Sequence, residues 1–211
     1  MKIHEWEAFL RTWSAERDAA RRAEDPALPP LGWLGFAPAP PERIAALEAR
    51  LGAALPPSYR SFLEVTDGWR WAGEFVELLA PAAGVGPLRE LTAHAHEELT
   101  FWEREDLDAE LDAELDEDLD AELDEEEDGD EEERYESARW NRAIQISLTG
   151  DGTWLLLDPG DIGEDGEWAA YRYSSWSGHG PVRHASFADL MRAEYEGFRA
   201  LRHRPAGTAG S

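Results

Sequence analysis

The chain of 211 residues has no cysteine, which excludes a disulfide framework and any thiolate-ligated zinc site. No uninterrupted apolar stretch approaches the ~20 residues needed to cross a bilayer, and no basic segment followed by an apolar run stands near Met1. A cytoplasmic address is the expectation. A basic stripe is missing too, in a chain of net charge −26. Direct nucleic-acid binding is therefore disfavoured, as is an anionic membrane surface. No Gly-x-Ser-x-Gly elbow is present, although Ser174, Ser175, Ser177, His179 and Asp189 supply the residue types of a nucleophilic triad. Such pieces, without an oriented nucleophile, are common by chance, so the expectation is a non-enzyme without cofactor.

Metal sites fare no better. His94 and His96 stand two apart, which on a helix points them about 200° apart, so they cannot share a metal as residues four apart can. Asp158, Asp161, Glu164 and Asp165 lie among glycines like a calcium loop. Counting from Asp161, however, position three is Gly163 and position twelve is Arg172, which breaks the EF-hand pattern. A tight strand-connecting loop is expected there.

The charge is unevenly spread. Between Glu103 and Glu136 stand 22 acidic residues against Arg104 and Arg134, so about −20 of the charge sits there and about −6 elsewhere. The stretch contains a four-residue repeat that sets Leu107, Leu111, Leu115, Leu119 and Leu123 four apart, with Asp108, Asp112, Asp116, Asp120 and Asp124 beside them. A helix would stack the leucines on one stripe precessing about 40° per repeat. Like charges four apart cost roughly 0.2–0.5 kcal/mol per pair, which offsets good helix propensities. The segment is expected to be an acidic, partly helical insertion. It is either a passive low-complexity expansion or an electrostatic lure for a basic partner.

Outside that insertion, residues 3–24 carry Ile3, Trp6, Phe9, Leu10 and Trp13 at the spacing of an amphipathic helix. Asp25 to Pro41 holds six prolines and reads as an irregular connection, with Trp33, Leu34 and Phe36 tacking it to the body. Ile44, Leu47 and Leu51 then form a stripe that Gly52 can end in the left-handed conformation. Pro57 suits the first turn of a second short helix with Tyr59, Phe62 and Leu63 on its apolar side, and Asp67-Gly68 closes it. Glu74 to Leu79 predicts a strand, Gly84 to Leu91 is either strand or loop, and Thr92 to Glu105 predicts a helix. Trp140 to Leu148, with Ile144, Ile146 and Leu148 alternating, predicts one arm of a β-hairpin that turns at Gly150-Asp151-Gly152 into Thr153 to Leu157. Trp168 to Ser175 is a further strand, Pro181 to His184 a short edge strand, and Ser186 can cap a last helix through Leu201 with Asp189 three residues on. This order predicts an α+β fold: an antiparallel sheet meander packed by the early helices and a C-terminal helix.

The run IAALEARLGAALPPSYRSFLEVTDGWR, followed downstream by AIQISLTGDGTWLLLDPG and FADLMRAEYEGF, resembles the SUKH superfamily, in the branch of the fungal cell-wall-assembly and killer-toxin-resistance regulator. The resemblance covers roughly Trp33 to Leu201 and is interrupted by the acidic insertion. It implies a non-enzymatic binding domain; many bacterial members look like immunity proteins that block a toxin domain, and others resemble interaction scaffolds. The expected organisation is an N-terminal helix and connection over 1–32, a SUKH-like domain over 33–203 with its insertion at 103–136, and a disordered tail over 204–211.

For binding, the candidates are Trp69, Arg70, Trp71 and Glu74 after the early helices, with Trp176 and His179 in a late glycine-flanked turn. Two indoles in three residues of a strand-like segment are not both expected to face the core. An exposed indole is a natural interface anchor, because interfaces favour Trp, Tyr and Arg. The partner expected is another polypeptide, such as a basic toxin domain drawn by an acidic surface.

Overall fold

The computed structural model describes residues 1–101 and 138–202. The acidic repeat and its aspartates, and the tail, lie outside the described residues. The fold is α+β, as the sequence predicts. Helix α1 (Ile3–Glu24) is followed by the proline-rich connection, then α2 (Pro41–Leu51) and α3 (Pro57–Leu63). Both short helices start on proline at the first helical position, where no N–H partner is forfeited. Gly52 ends α2 at φ 70°, the left-handed cap read from the sequence.

The strands among the described residues are β1 (Trp69–Arg70), β2 (Val76–Leu79), β3 (Gly86–Pro87), β4 (Ile144–Gln145), β5 (Ser147–Gly150), β6 (Thr153–Ile162), β7 (Trp168–Ser174) and β8 (Val182–His184). All pairings are antiparallel, in a three-stranded sheet ordered β1-β2-β5 and a five-stranded sheet ordered β3-β4-β6-β7-β8. The C-terminal helix (Phe187–Arg202) begins at Ser186, whose Oγ accepts from Asp189 N–H at 3.1 Å and donates to Asp189 Oδ2 at 2.7 Å. This is the expected cap.

The described structure differs from the sequence expectation in the middle of the chain. The ambiguous stretch resolves into a 3-10 turn at Ala82–Gly84, strand β3 and a single helical turn, Leu88–Leu91, before a helix over 93–101. Trp140 belongs to a short helix, Ala138–Arg142, and not to a strand. The expected hairpin arm is split at Ile146, which donates to Leu155 O at 2.9 Å and accepts from Ala80 N–H at 2.8 Å. Past that residue the strand leaves β6 and pairs with β2 instead. Ile144 and Ile146 are buried, but so are Gln145 and Ser147, while Leu148 is exposed. Simple alternation fails because this sheet is covered on both faces.

Two cores result. Leu155 and Leu157 of β6 with Trp168 and Ala170 of β7 face a large core that includes Trp6, Trp13, Phe62 and Phe187. Leu156, Ala169, Tyr171 and Tyr173 face the other side, against Leu88, Leu99 and Trp140. Helix α1 thus belongs to the main core, with Trp6, Leu10 and Trp13 wholly buried. Trp6 Nε1–H donates to Ser58 O at 3.0 Å, fixing α1 to α3.

Candidate functional site

The turn after β1 carries the surface of interest. Trp69 and Trp71 stand two apart and would share a face in a regular strand. They do not, because Trp71 takes φ 52°, in the left-handed region that bulky residues avoid. Its N–H still closes the β1–β2 turn onto Glu77 O at 2.6 Å. Trp69 points inward, with no exposed surface, between Trp13 at 6.0 Å and Trp33 at 5.1 Å between ring centroids. Trp71 is half-buried and walls a surface groove. Arg70 turns to the proline-rich connection, stacking on Phe36 at 4.1 Å and donating to Leu34 O and Gly35 O at 3.3 Å.

Glu74 is paired with Arg17 of α1 at 2.9 Å. Phe75 beside it meets Trp176 edge to face at 4.7 Å, so the early and late turns join on one surface. Trp176 is 53% exposed, and its indole N–H is held by Asp151 O at 2.6 Å. His179 stands exposed in the same turn, its N–H bonded to Ser177 Oγ at 3.2 Å. The structure therefore brings Trp71, Glu74 and Trp176 onto neighbouring surface with Trp69 beneath.

Two grooves flank Glu74 and share Phe198. The first, about 330 Å³, lies between α1, the Trp71 turn and the end of the C-terminal helix, and includes Arg17, Arg21 and Arg202. The second, about 280 Å³, is lined by Phe75, Arg172, His184, Glu194 and Leu201. Arg172 meets Glu194 at 3.0 Å in its floor. Burial pushes the Glu194 carboxyl up to about 7, the nearby Arg172 charge only partly opposing it. Burial also lowers the His184 imidazole, with Asp189 opposing.

The sequence missed Arg17, Arg21, Phe198 and Arg202 as site residues. The available signal was spacing: Arg17 and Arg21, like Phe198 and Arg202, stand four apart and so share a helix face.

The residues that suggested catalysis or metal binding are occupied otherwise. Ser174 Oγ is 2.8 Å from Thr153 Oγ1, and Asp189 serves the helix cap. Asp158 is held by Arg142 and Asp161 by Arg183, both through two nitrogens. Among the described residues no group of three or more His, Cys, Asp or Glu could hold a metal ion, and no helix is long and apolar enough to cross a membrane.

Antiparallel sheets with the early helices and the C-terminal helix packed together in one core, and with aromatic turns and flanking grooves at the surface, define an α+β domain of the interaction type. The chain belongs to the SMI1 / KNR4 family (SUKH-1), whose model matches residues 38–193. That membership supports a protein-interaction or immunity-type domain in general terms. A comparison with curated proteins finds no match.

Proposed function

We propose that the protein is a non-enzymatic binding domain that acts as an immunity protein, neutralising a polymorphic-toxin domain by capping its surface. The observation that carries this reading is Trp71, a bulky residue held in a left-handed backbone beside the exposed Trp176. Strained backbone is retained where the surroundings over-determine it, and such places cluster at ligand clamps. Rigid indoles at a surface are the residues from which interfaces draw most of their energy. The acidic balance suits a basic toxin, since complementary charge raises association rates and disfavours wrong partners.

The gene neighbourhood provides the test: a toxin-bearing reading frame directly upstream supports the reading, and its toxin is then co-expressed with the chain. Co-expression should rescue growth with the wild type, and the double variant Trp71→Ala, Trp176→Ala should lose the rescue. The charge of about −20 between Glu103 and Glu136 favours one second reading, a regulatory scaffold whose acidic arm gathers basic proteins. Capture of several housekeeping proteins and no toxin would select the scaffold.

A further inference from the structure

Resting on the protein-binding reading, we propose that the groove between α1 and the end of the C-terminal helix is a carboxylate-reading slot. It receives an Asp or Glu side chain of the partner polypeptide, with an apolar neighbour of that residue against Trp71. Three guanidinium groups converge there, from Arg17 and Arg21 one turn apart on α1 and from Arg202 near the chain's end. The Phe198 ring holds two of them, with Arg17 Cζ 4.7 Å and Arg202 Cζ 5.4 Å from its centroid. Stacking fixes a guanidinium without cancelling its charge.

Among the described residues, only Arg17 of the three has a carboxylate partner, Glu74. Arg21 donates to Pro29 O at 3.0 Å and Arg202 to Glu16 O at 3.2 Å, so both are positioned by backbone carbonyls with their charge intact. Against three cations the groove sets Glu24 and Glu74, a local balance of +1. The described residues as a whole carry 17 Lys and Arg against 24 Asp and Glu, or −7. One excess positive charge matches a single carboxylate. Dianionic phosphate would bring twice that charge, and a nucleic-acid strand repeats its charge at every phosphodiester, which a chain at −26 repels. Leu31, Trp71 and Phe198 supply the apolar wall that a peptide needs. All three arginines lie outside residues 38–193, the stretch that the family model matches, whereas Trp71 and Glu74 lie within it.

The test is an NMR titration of the full-length ¹⁵N-labelled chain, following the Trp71 indole and the arginine Nε–H signals. The probes are a short peptide with one Glu between two Leu, its Gln counterpart, inorganic phosphate and a single-stranded oligonucleotide. Both signals should shift with the Glu peptide, and the Gln peptide should bind at least tenfold more weakly, the scale of one charge-assisted hydrogen bond. Arg21→Gln with Arg202→Gln should cost at least tenfold, and Lys at both positions should restore part of it. Equal binding of the two peptides, stronger shifts with phosphate or the oligonucleotide, or an unaffected double variant would overturn the slot. The assay needs no native partner, so its failure is distinguishable from failure of the protein-binding reading, which partner capture through Trp71 tests separately.

Discussion

Arg172 Nε lies 3.0 Å from Glu194 Oε1, and this nearly buried pair ties β7 to the C-terminal helix under the second groove. The carboxylate is 7% exposed, and its outer oxygen is pressed against Gly73, where a β-carbon would collide with it. The turn that carries Trp71 and Glu74 is thus seated on an ionisable group.

A pH dependence follows. The Glu194 carboxyl is raised from 4.5 to about 7 in the folded protein. A raised pKa means that the folded state binds the proton more tightly than the unfolded chain. The stability it contributes is full below about pH 4.5 and is lost as pH rises through about 7, with an upper limit of about 3 kcal/mol. Glu194→Gln mimics the protonated form and should lack this loss. Urea unfolding of both proteins at pH 5 and pH 8 checks it, and a stability difference between them that stays constant would refute it.

Trp71 predicts an inverted ranking of small residues. Trp71→Gly should be more stable than Trp71→Ala by about 1 kcal/mol, because only glycine accepts φ 52° without strain. Both variants lose the same indole packing, so the difference isolates the backbone. Equal midpoints in thermal unfolding would mean that the left-handed turn is not held in solution.

Glu167 caps a helix 109 residues earlier in the chain. Its Oε1 accepts from Ser58 N–H at 2.9 Å and its Oε2 from Ser58 Oγ at 2.7 Å, at the start of α3, whose own flanking proline offers no cap. Glu167→Ala should cost about 2 kcal/mol by exposing buried donors to no partner. Glu164→Ala, on the exposed part of the same loop, should stay within about 0.5 kcal/mol of wild type.

Asp158 is wholly buried, and Arg142 meets it with Nε at 2.5 Å and a terminal nitrogen at 2.9 Å. Asp158→Ala should cost about 1–3 kcal/mol, since it removes the buried acceptor of two guanidinium hydrogen bonds and of the Gly160 N–H. Gly160→Ala should also destabilise, because its β-carbon would collide with Arg142. Chemical denaturation of the two variants reads both effects.

What was legible in the sequence was local. Gly52 and Pro57 mark the end of α2 and the start of α3 because their backbone restrictions act within one turn, and Ser186 with Asp189 marks the last helix for the same reason. The strand switch at Ile146 is illegible in the sequence, because the alternation of Ile144, Ile146 and Leu148 reads as one continuous strand, although Gln145 and Ser147 are buried as well and Leu148 is not. Trp69 and Trp71, two apart, would share one face of a regular strand, so their separation by a left-handed residue is legible only in the structure. Arg17 and Arg202 meet on Phe198 across 185 residues of chain, a distance that no local pattern spans.

The central claim is that a polypeptide partner is recognised through the Trp71 and Trp176 surface. Its most direct test is capture from the cell of origin by the full chain, comparing wild type with Trp71→Ala and Trp176→Ala at equal folded concentration. The account predicts one protein recovered near one-to-one with wild type and at least tenfold less with either variant. Recovery unchanged by both substitutions, or a small molecule turned over in the grooves, would contradict it.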